Sequence, residues 1–278
     1  MKYLRTHRMM YLQTLIVVSL IAAALGLARS PAAALPAMGT QQDPTTIYLP
    51  LVLKETDPRP EESIMILTPG PGSRVTSPVT VAGEADPTFE QHLLVRVLQA
   101  DGTLVTQMPT IIQAELGQRG PFSVELPINL DSEQNIFIQV LADSARDGNV
   151  THLSSVGVTF TPTGPAEINE REPYPEQIHI SQPQSGATVS GGSVHVTGFA
   201  LASFEQTLVV EVYDEEGDVI ASEPVMVQAT DLGQPGPFEA QLEYTLSTAG
   251  PGRIVVRDES PAFGGDAHLS SVEVSLEP

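Results

Sequence analysis

Hydrophobic residues recur at every second position in short runs along most of the chain. Leu93, Val95 and Val97 alternate with residues that include Arg96, and Leu208, Val210 and Val212 alternate with Val209, Glu211 and Tyr213. A period of two sends successive side chains to opposite faces, so each run predicts a strand with one buried face and one that is at least partly wet. Val156, Val158 and Phe160 repeat the device, as do Val272, Val274 and Leu276, the latter set separated by Glu273 and Ser275. Gly, Pro, Asp or Asn closes the runs, and Asp101-Gly102 and Glu216-Gly217 supply turns in which Gly tolerates positive φ. The pattern predicts an all-β chain.

The strand pattern occurs twice. Residues 63 to 162 match residues 177 to 278 at an offset that starts at 114 and grows to 116 through two single-residue insertions. Val79-x-Val81-x-Gly83-x-Ala85 returns as Val194-x-Val196-x-Gly198-x-Ala200, and Phe89-Glu90-Gln91 as Phe204-Glu205-Gln206. Gly120-Pro121-Phe122 returns as Gly236-Pro237-Phe238, and His152-Leu153-Ser154-Ser155-Val156 as His268-Leu269-Ser270-Ser271-Val272. A fixed internal period of this kind marks tandem structural units. About seven strands in roughly 100 residues fit an immunoglobulin-like β-sandwich.

The resulting expectation is a signal segment at 1–34, a leader at 35–60, sandwich domains at 61–162 and 176–278, and a linker at 163–175. Pro165, Pro173 and a short charged run without apolar periodicity make the linker a semi-extended segment that adds no strand, so each domain is expected to fold alone. The leader contains Ile47 to Lys54, an apolar stretch broken by Pro50, which is either an extra edge strand or an element that docks to the envelope.

The order Ile-x-x-Pro, Gly-x-x-Val, Val-x-Val-x-Gly-x-Ala, Phe-Glu, Gly-Pro-Phe and a closing Ser-Val-x-Val resembles the immunoglobulin-like domain of bacterial spore germination. It runs from about Ile64 to Phe160 and again from Ile178 to Leu276, with Ser77-Pro78 of the first copy becoming Gly191-Gly192 in the second. The resemblance implies a non-enzymatic module of exported or envelope-associated proteins, with no ligand residues to carry over.

Composition adds a location and a charge. Lys2, Arg5 and Arg8 precede an apolar run from Thr14 to Ala28 and the small residues Ala32, Ala33 and Ala34, the layout of a cleaved secretory signal. An uncleaved membrane anchor is the competing reading, but the run is shorter than the roughly 20 apolar residues that a spanning helix needs. There is no Cys, which removes disulfides, thiol catalysis and lipid attachment at a signal cysteine. Beyond residue 34 stand nine basic against 34 acidic residues, a formal balance of −25. Such a field repels nucleic acid and anionic lipid and suits a soluble extracellular protein.

Side chains that could carry chemistry have bland alternatives. Glu90 and Glu205 follow Phe89 and Phe204 in separate copies, whereas catalytic carboxylates work as pairs in one cleft, so the Phe is expected to plug the sandwich end and the Glu to anchor the turn. Gly120, Phe122, Gly236 and Phe238 are assigned to the same structural motif. His152 and His268 precede Leu-Ser-Ser without a Gly-x-Ser-x-Gly elbow, and read as polar residues opening the final strand. His92, His179 and His195 are isolated, and no His-x-x-x-His spacing supports zinc. Asp143, Asp147, Asp214 and Asp218 come nearest to calcium ligands, but lack the alternating Asp-x-Asp-x-Asp-Gly pattern and read as solvated turns. No cofactor or metal is expected. The function expected is a non-catalytic exported protein whose tandem modules bind an envelope or extracellular protein or glycan, or act as spacers. The alternative is a secreted hydrolase with acidic residues of both copies meeting in one interdomain cleft.

Overall fold

A computed structural model describes residues 59–201, 205–261 and 263–278. The expected signal segment, nearly all of the leader with its Ile47 to Lys54 stretch, and Phe204 lie outside the described residues. The first copy contributes β1 (Ile64–Thr68), β2 (Arg74–Val75), β3 (Val79–Ala85), β4 (His92–Gln99), β5 (Leu104–Ile111), β6 (Gly120–Leu126), β7 (Gln134–Asp143) and β8 (Val150–Phe160). The second repeats them as β9 (Ile178–Gln182), β10 (Thr188–Val189), β11 (Ser193–Ala200), β12 (Thr207–Tyr213), β13 (Val219–Met226), β14 (Gly236–Glu243), β15 (Gly250–Glu259) and β16 (Asp266–Leu276). The all-β expectation holds, and each copy is a sandwich.

In the first copy a sheet ordered β1-β3-β6 faces one ordered β5-β4-β7-β8, and β2 crosses over to pair parallel with β8. The second copy repeats this with β9-β11-β14 against β13-β12-β15-β16, and β10 parallel to β16. The alternating residues of the sequence supply the two cores. Val81, Leu93, Val95, Phe122 and Ile138 are buried in one, and Val196, Leu208, Val210, Phe238 and Ile254 in the other. Gly83 lies opposite Phe122 in the β3–β6 ladder, and a Cβ there would stand 1.8 Å from the Met65 carbonyl oxygen and 2.9 Å from the Phe122 ring. The Gly-x-Ala motif therefore marks where backbone and a buried ring approach too closely for any side chain.

The Phe-Glu motif is organised differently from expectation. Phe89 is 63% exposed and plugs nothing. Glu90 and Gln91 take left-handed backbone, φ 52° and 57°, in the short 3₁₀ turn Phe89–Gln91, and this rotation puts Gln91 inside and Phe89 outside. The Gln91 Nε2 donates to the carbonyls of Glu115 and Gln118 at 3.1 and 2.9 Å, which ties the loop before β6 to the start of β4. Gln206 of the second copy does the same toward Asp231 at 2.9 Å. The anchoring expected of Glu90 and Glu205 thus belongs to the glutamine beside each.

The linker also departs from expectation, because it pairs with the first copy. Arg74 and Glu167 exchange both backbone bonds at 2.8 Å, Gly70 N donates to Asn169 O, and Arg171 N to Leu67 O. Residues around 167–171 therefore extend the β1–β2 edge, satisfying backbone groups that an edge would otherwise expose.

The two copies share a sheet. β8 and β16 meet antiparallel with Leu153 opposite Leu269, joining the larger sheets into one of ten strands. Leu141, Leu153, Val255 and Leu269 form a third small core on this seam. Leu153 and Leu269 are equivalent residues of the repeat, so a local two-fold axis passes between them. Residues Glu55–Pro278 accordingly cluster as one unit rather than two.

Candidate functional site

The residues along the seam obey the local two-fold. The Ser155 hydroxyl donates to the Ala267 carbonyl at 2.6 Å, and Ser271, its equivalent, donates to the Thr151 carbonyl at 2.7 Å. The segments entering the two sandwiches are reciprocal as well: Glu62 N donates to Tyr174 O at 3.1 Å, and Glu176 N to Pro60 O at 2.8 Å. Farther out, the loop after β7 docks on the β12–β13 hairpin of the other copy, where Asn149 Nδ2 donates to the Gly217 carbonyl at 2.9 Å. Its equivalent, the loop after β15, sets Phe263 against Phe137 with ring centroids 4.6 Å apart.

At the centre stand Glu62, His152, Glu176 and His268. The strand period alone places the histidines: each is the residue before the leucine on the axis, and so points to the opposite face from it. Each carboxylate is fixed by the other copy's backbone, Glu62 Oε2 accepting from Gln177 N at 2.9 Å and Glu176 Oε2 from Ser63 N at 2.8 Å. Glu62 Oε1 also accepts from the Ser154 hydroxyl at 3.1 Å. His152 Nε2 lies 2.7 Å from Glu62 Oε1 and 3.6 Å from Glu176 Oε1, and His268 Nε2 lies 3.5 Å from Glu62 Oε2 and 3.8 Å from Glu176 Oε1. The imidazole rings are edge to face at 5.4 Å. Glu62, Glu176 and His268 are buried, and His152 is nearly so.

Burial would raise the pKa of Glu62, but His268 and His152 outweigh it and hold the carboxylate well below its usual range. Burial would likewise lower His152, and here Glu176 and the hydrogen-bonded Glu62 win, raising it to about 9. Glu62 and His152 therefore balance one another inside the protein, where an unpaired charge would be costly. The balance is incomplete: Glu176 Oε1 and both ring nitrogens of His268 are buried without a hydrogen-bond partner. One ligand atom from each of the four residues falls within 4.8 Å of all the others.

The residues singled out in the sequence are distributed more widely. Phe122 and Phe238 lie in the two cores, and Gly120 and Gly236 back against Ala114 and Ala229 with no room for a Cβ. Among the described residues Asp143, Asp147, Asp214 and Asp218 do not form a ligand group. Asp147 is committed to Arg253, Asp214 Oδ1 caps its own hairpin through Asp218 N at 2.9 Å, and Asp143 ends β7. His152 and His268 open the last strands as expected, but they converge, which separate modules would not allow. Glu62 and Glu176 were not singled out, although extending the repeat one residue upstream aligns Glu62-x-Ile64-x-Ile66 with Glu176-x-Ile178-x-Ile180.

No curated protein sequence matches the chain. Among solved structures, the red sea bream transglutaminase is 7% identical, with a TM-score of 0.28 over 78% of this chain and 31% of its own. The Ig1-2 module of the Drosophila receptor protein tyrosine phosphatase DLAR is 13% identical, with a TM-score of 0.21 over 79% of this chain and 100% of its own. The titin domains z1z2, crystallised with telethonin, are 14% identical at a TM-score of 0.20 over 78% and 96%. These likenesses are too slight to carry an argument. The sequence family is decisive: the immunoglobulin-like domain of bacterial spore germination matches residues 63–149 and again 177–265, more than half of the chain. With two sandwiches of the expected strand order at those places, the chain belongs to that family as a tandem pair.

Proposed function

We propose that this chain is a non-catalytic extracytoplasmic protein, secreted or held at the envelope, whose paired sandwiches act as one stiff platform presenting two equivalent binding surfaces. Immunoglobulin-like domains suit a binding or structural role, and one observation favours binding. The large apolar side chains left in solvent recur at matched positions, Ile111 with Met226 and Leu116 with Leu232, the last two 78% and 83% exposed. Exposed apolar groups that repeat with the fold mark surfaces kept for a partner. The seam holds the two sets at a fixed separation, so a partner with two matching sites gains from the high effective concentration of the second.

The hydrolase alternative gains converging carboxylates, Glu62 and Glu176, but not their chemistry. A general acid needs a raised pKa and room for substrate. Glu62 is instead pushed down, and both oxygens of its carboxylate are engaged by groups of the protein itself.

The test is made in the native host. Cell fractionation should place the chain outside the cytoplasm with an N-terminus near Leu35, and a photo-crosslinker at Leu116 or Leu232 should trap one and the same partner from either position. An intact cytoplasmic chain, or unrelated adducts from the two positions, would contradict the proposal. In the binding reading, Ile111→Ser with Met226→Ser weakens the adducts from either position and leaves the melting temperature unchanged.

A further inference from the structure

We propose that the seam cluster of Glu62, His152, Glu176 and His268 is a site for one divalent transition metal of the zinc type, which clasps the two copies together. In a tetrahedral zinc site the ligands lie about 2.0–2.2 Å from the ion, which sets ligand atoms about 3.3–3.6 Å from one another. With Glu62 Oε1 and Glu176 Oε1 as the ligand oxygens, the separations are 2.7 and 3.6 Å from His152 Nε2 and 3.8 Å from His268 Nε2 to Glu176, bracketing that edge, and all four ligand atoms lie within 4.8 Å of one another. The shortest is a hydrogen bond that a cation would replace, opening it by more than about half an ångström.

Three further observations point to a ligand. Glu176 Oε1 and His268 Nε2 are buried within the cluster and lack hydrogen-bond partners, so both have a lone pair to offer a cation. The outer carboxylate oxygens are already oriented by Gln177 N and Ser63 N, one bond from each copy, in the manner of an outer shell that aims metal ligands. The charges also close, because two carboxylates, two neutral imidazoles and one divalent cation sum to zero.

The donor set selects the metal. Two imidazole nitrogens with two carboxylate oxygens suit zinc, cobalt, iron or manganese, whereas calcium and magnesium take oxygen only. Entry is available through a cleft of about 440 Å³ between the copies, lined by His152, Asp86, Asp143 and Glu273, whose carboxylates attract cations. With all four positions filled by protein the site is closed, and so structural rather than hydrolytic.

The full chain, stripped with a chelator, should bind one Zn²⁺ or Co²⁺, and millimolar Ca²⁺ should not displace it. The bound cobalt should give the strong visible absorption of a four-coordinate ion. Glu176→Gln and His268→Gln should each weaken binding at least 100-fold, beyond the roughly 10–100-fold lost with an outer-shell partner. X-ray absorption of the zinc-loaded chain should resolve two imidazoles in a shell at about 2.0–2.1 Å. A folded wild-type chain that takes up no metal, unweakened binding in both variants, or a shell without imidazole would overturn the proposal. The absorption measurement needs no variant, so it decides the matter even if the variants unfold.

Discussion

Asp147 and Arg253, which pair across the seam at 3.1 Å, stand where Phe263 and Phe137 stand in the other half of the pseudo-symmetric interface. One position of the repeat is thus filled by an ion pair on one side of the axis and by two tilted aromatic rings on the other. Arg253 is wholly buried and also binds Glu273 at 2.8 Å, and Asp147 is held below its usual pKa against the push of burial by Asn149 N–H and Arg253.

Removing one partner of a buried pair leaves a charge uncompensated, which costs about 3–5 kcal/mol. Because Glu273 still pairs with Arg253, Asp147→Ala should destabilise the chain by somewhat less than that in a denaturant melt. Asp147→Phe with Arg253→Phe should recover most of the loss, because it copies the aromatic contact already present across the axis.

Leu153 and Leu269 meet on the axis and are both buried. Truncation of a buried Leu to Ala typically costs about 2–5 kcal/mol. Each single variant should fall in that range, and the double variant should cost less than their sum, since the two side chains share one small core. Fully additive losses would mean that the leucines do not touch in solution.

His152 gives the metal-free chain a pH dependence. Its pKa is raised from 6.5 to about 9 by Glu176 and Glu62, so its stabilisation is complete below about 6.5 and lost as pH rises through about 9. Glu62 is shifted the other way, so its contribution is complete above the usual carboxylate range and fades as pH falls below it. Melting temperature in chelator should therefore decline between pH 6.5 and 9. His152→Gln should flatten that decline while lowering stability at pH 6.

Phe89 and Gln91 reverse the roles their types suggest. Phe89→Ala should change stability by no more than about 0.5 kcal/mol, as surface substitutions do. Gln91→Ala should cost about 1–3 kcal/mol, because the Glu115 and Gln118 carbonyls lose their donor. A thermal melt of the two variants distinguishes the assignments.

That reversal shows where the sequence stops being legible. Alternation along β4 or β12 names the buried residues directly, and the repeat gives the number of sandwiches, because both follow from local periodicity. Which of Phe89, Glu90 and Gln91 turns inward depends on two consecutive left-handed residues, and the carbonyls that Gln91 then meets lie 24 and 27 residues farther on. The seam is harder still. His152 and His268 open the same His-Leu-Ser-Ser-Val stretch but lie 116 positions apart, and only the antiparallel meeting of Leu153 with Leu269 makes them neighbours. Repetition at matched positions argued for an independent role in each copy, whereas a two-fold axis turns the same repetition into convergence. The linker misled for a related reason, since its prolines gave no hint that Glu167 and Arg171 would find the unpaired backbone of the first copy.

A stiff platform and a metal clasp both require the two copies to be one rigid body, which a distance measurement tests directly. Leu116 and Leu232 are equivalent, strongly exposed and on different copies, and the chain has no Cys to interfere with labelling. Spin labels at Leu116→Cys and Leu232→Cys, read by double electron–electron resonance, should give a single narrow distance distribution that Leu153→Ala broadens. A broad distribution in the otherwise unaltered chain would mean that the sandwiches move independently and that the seam does not persist in solution.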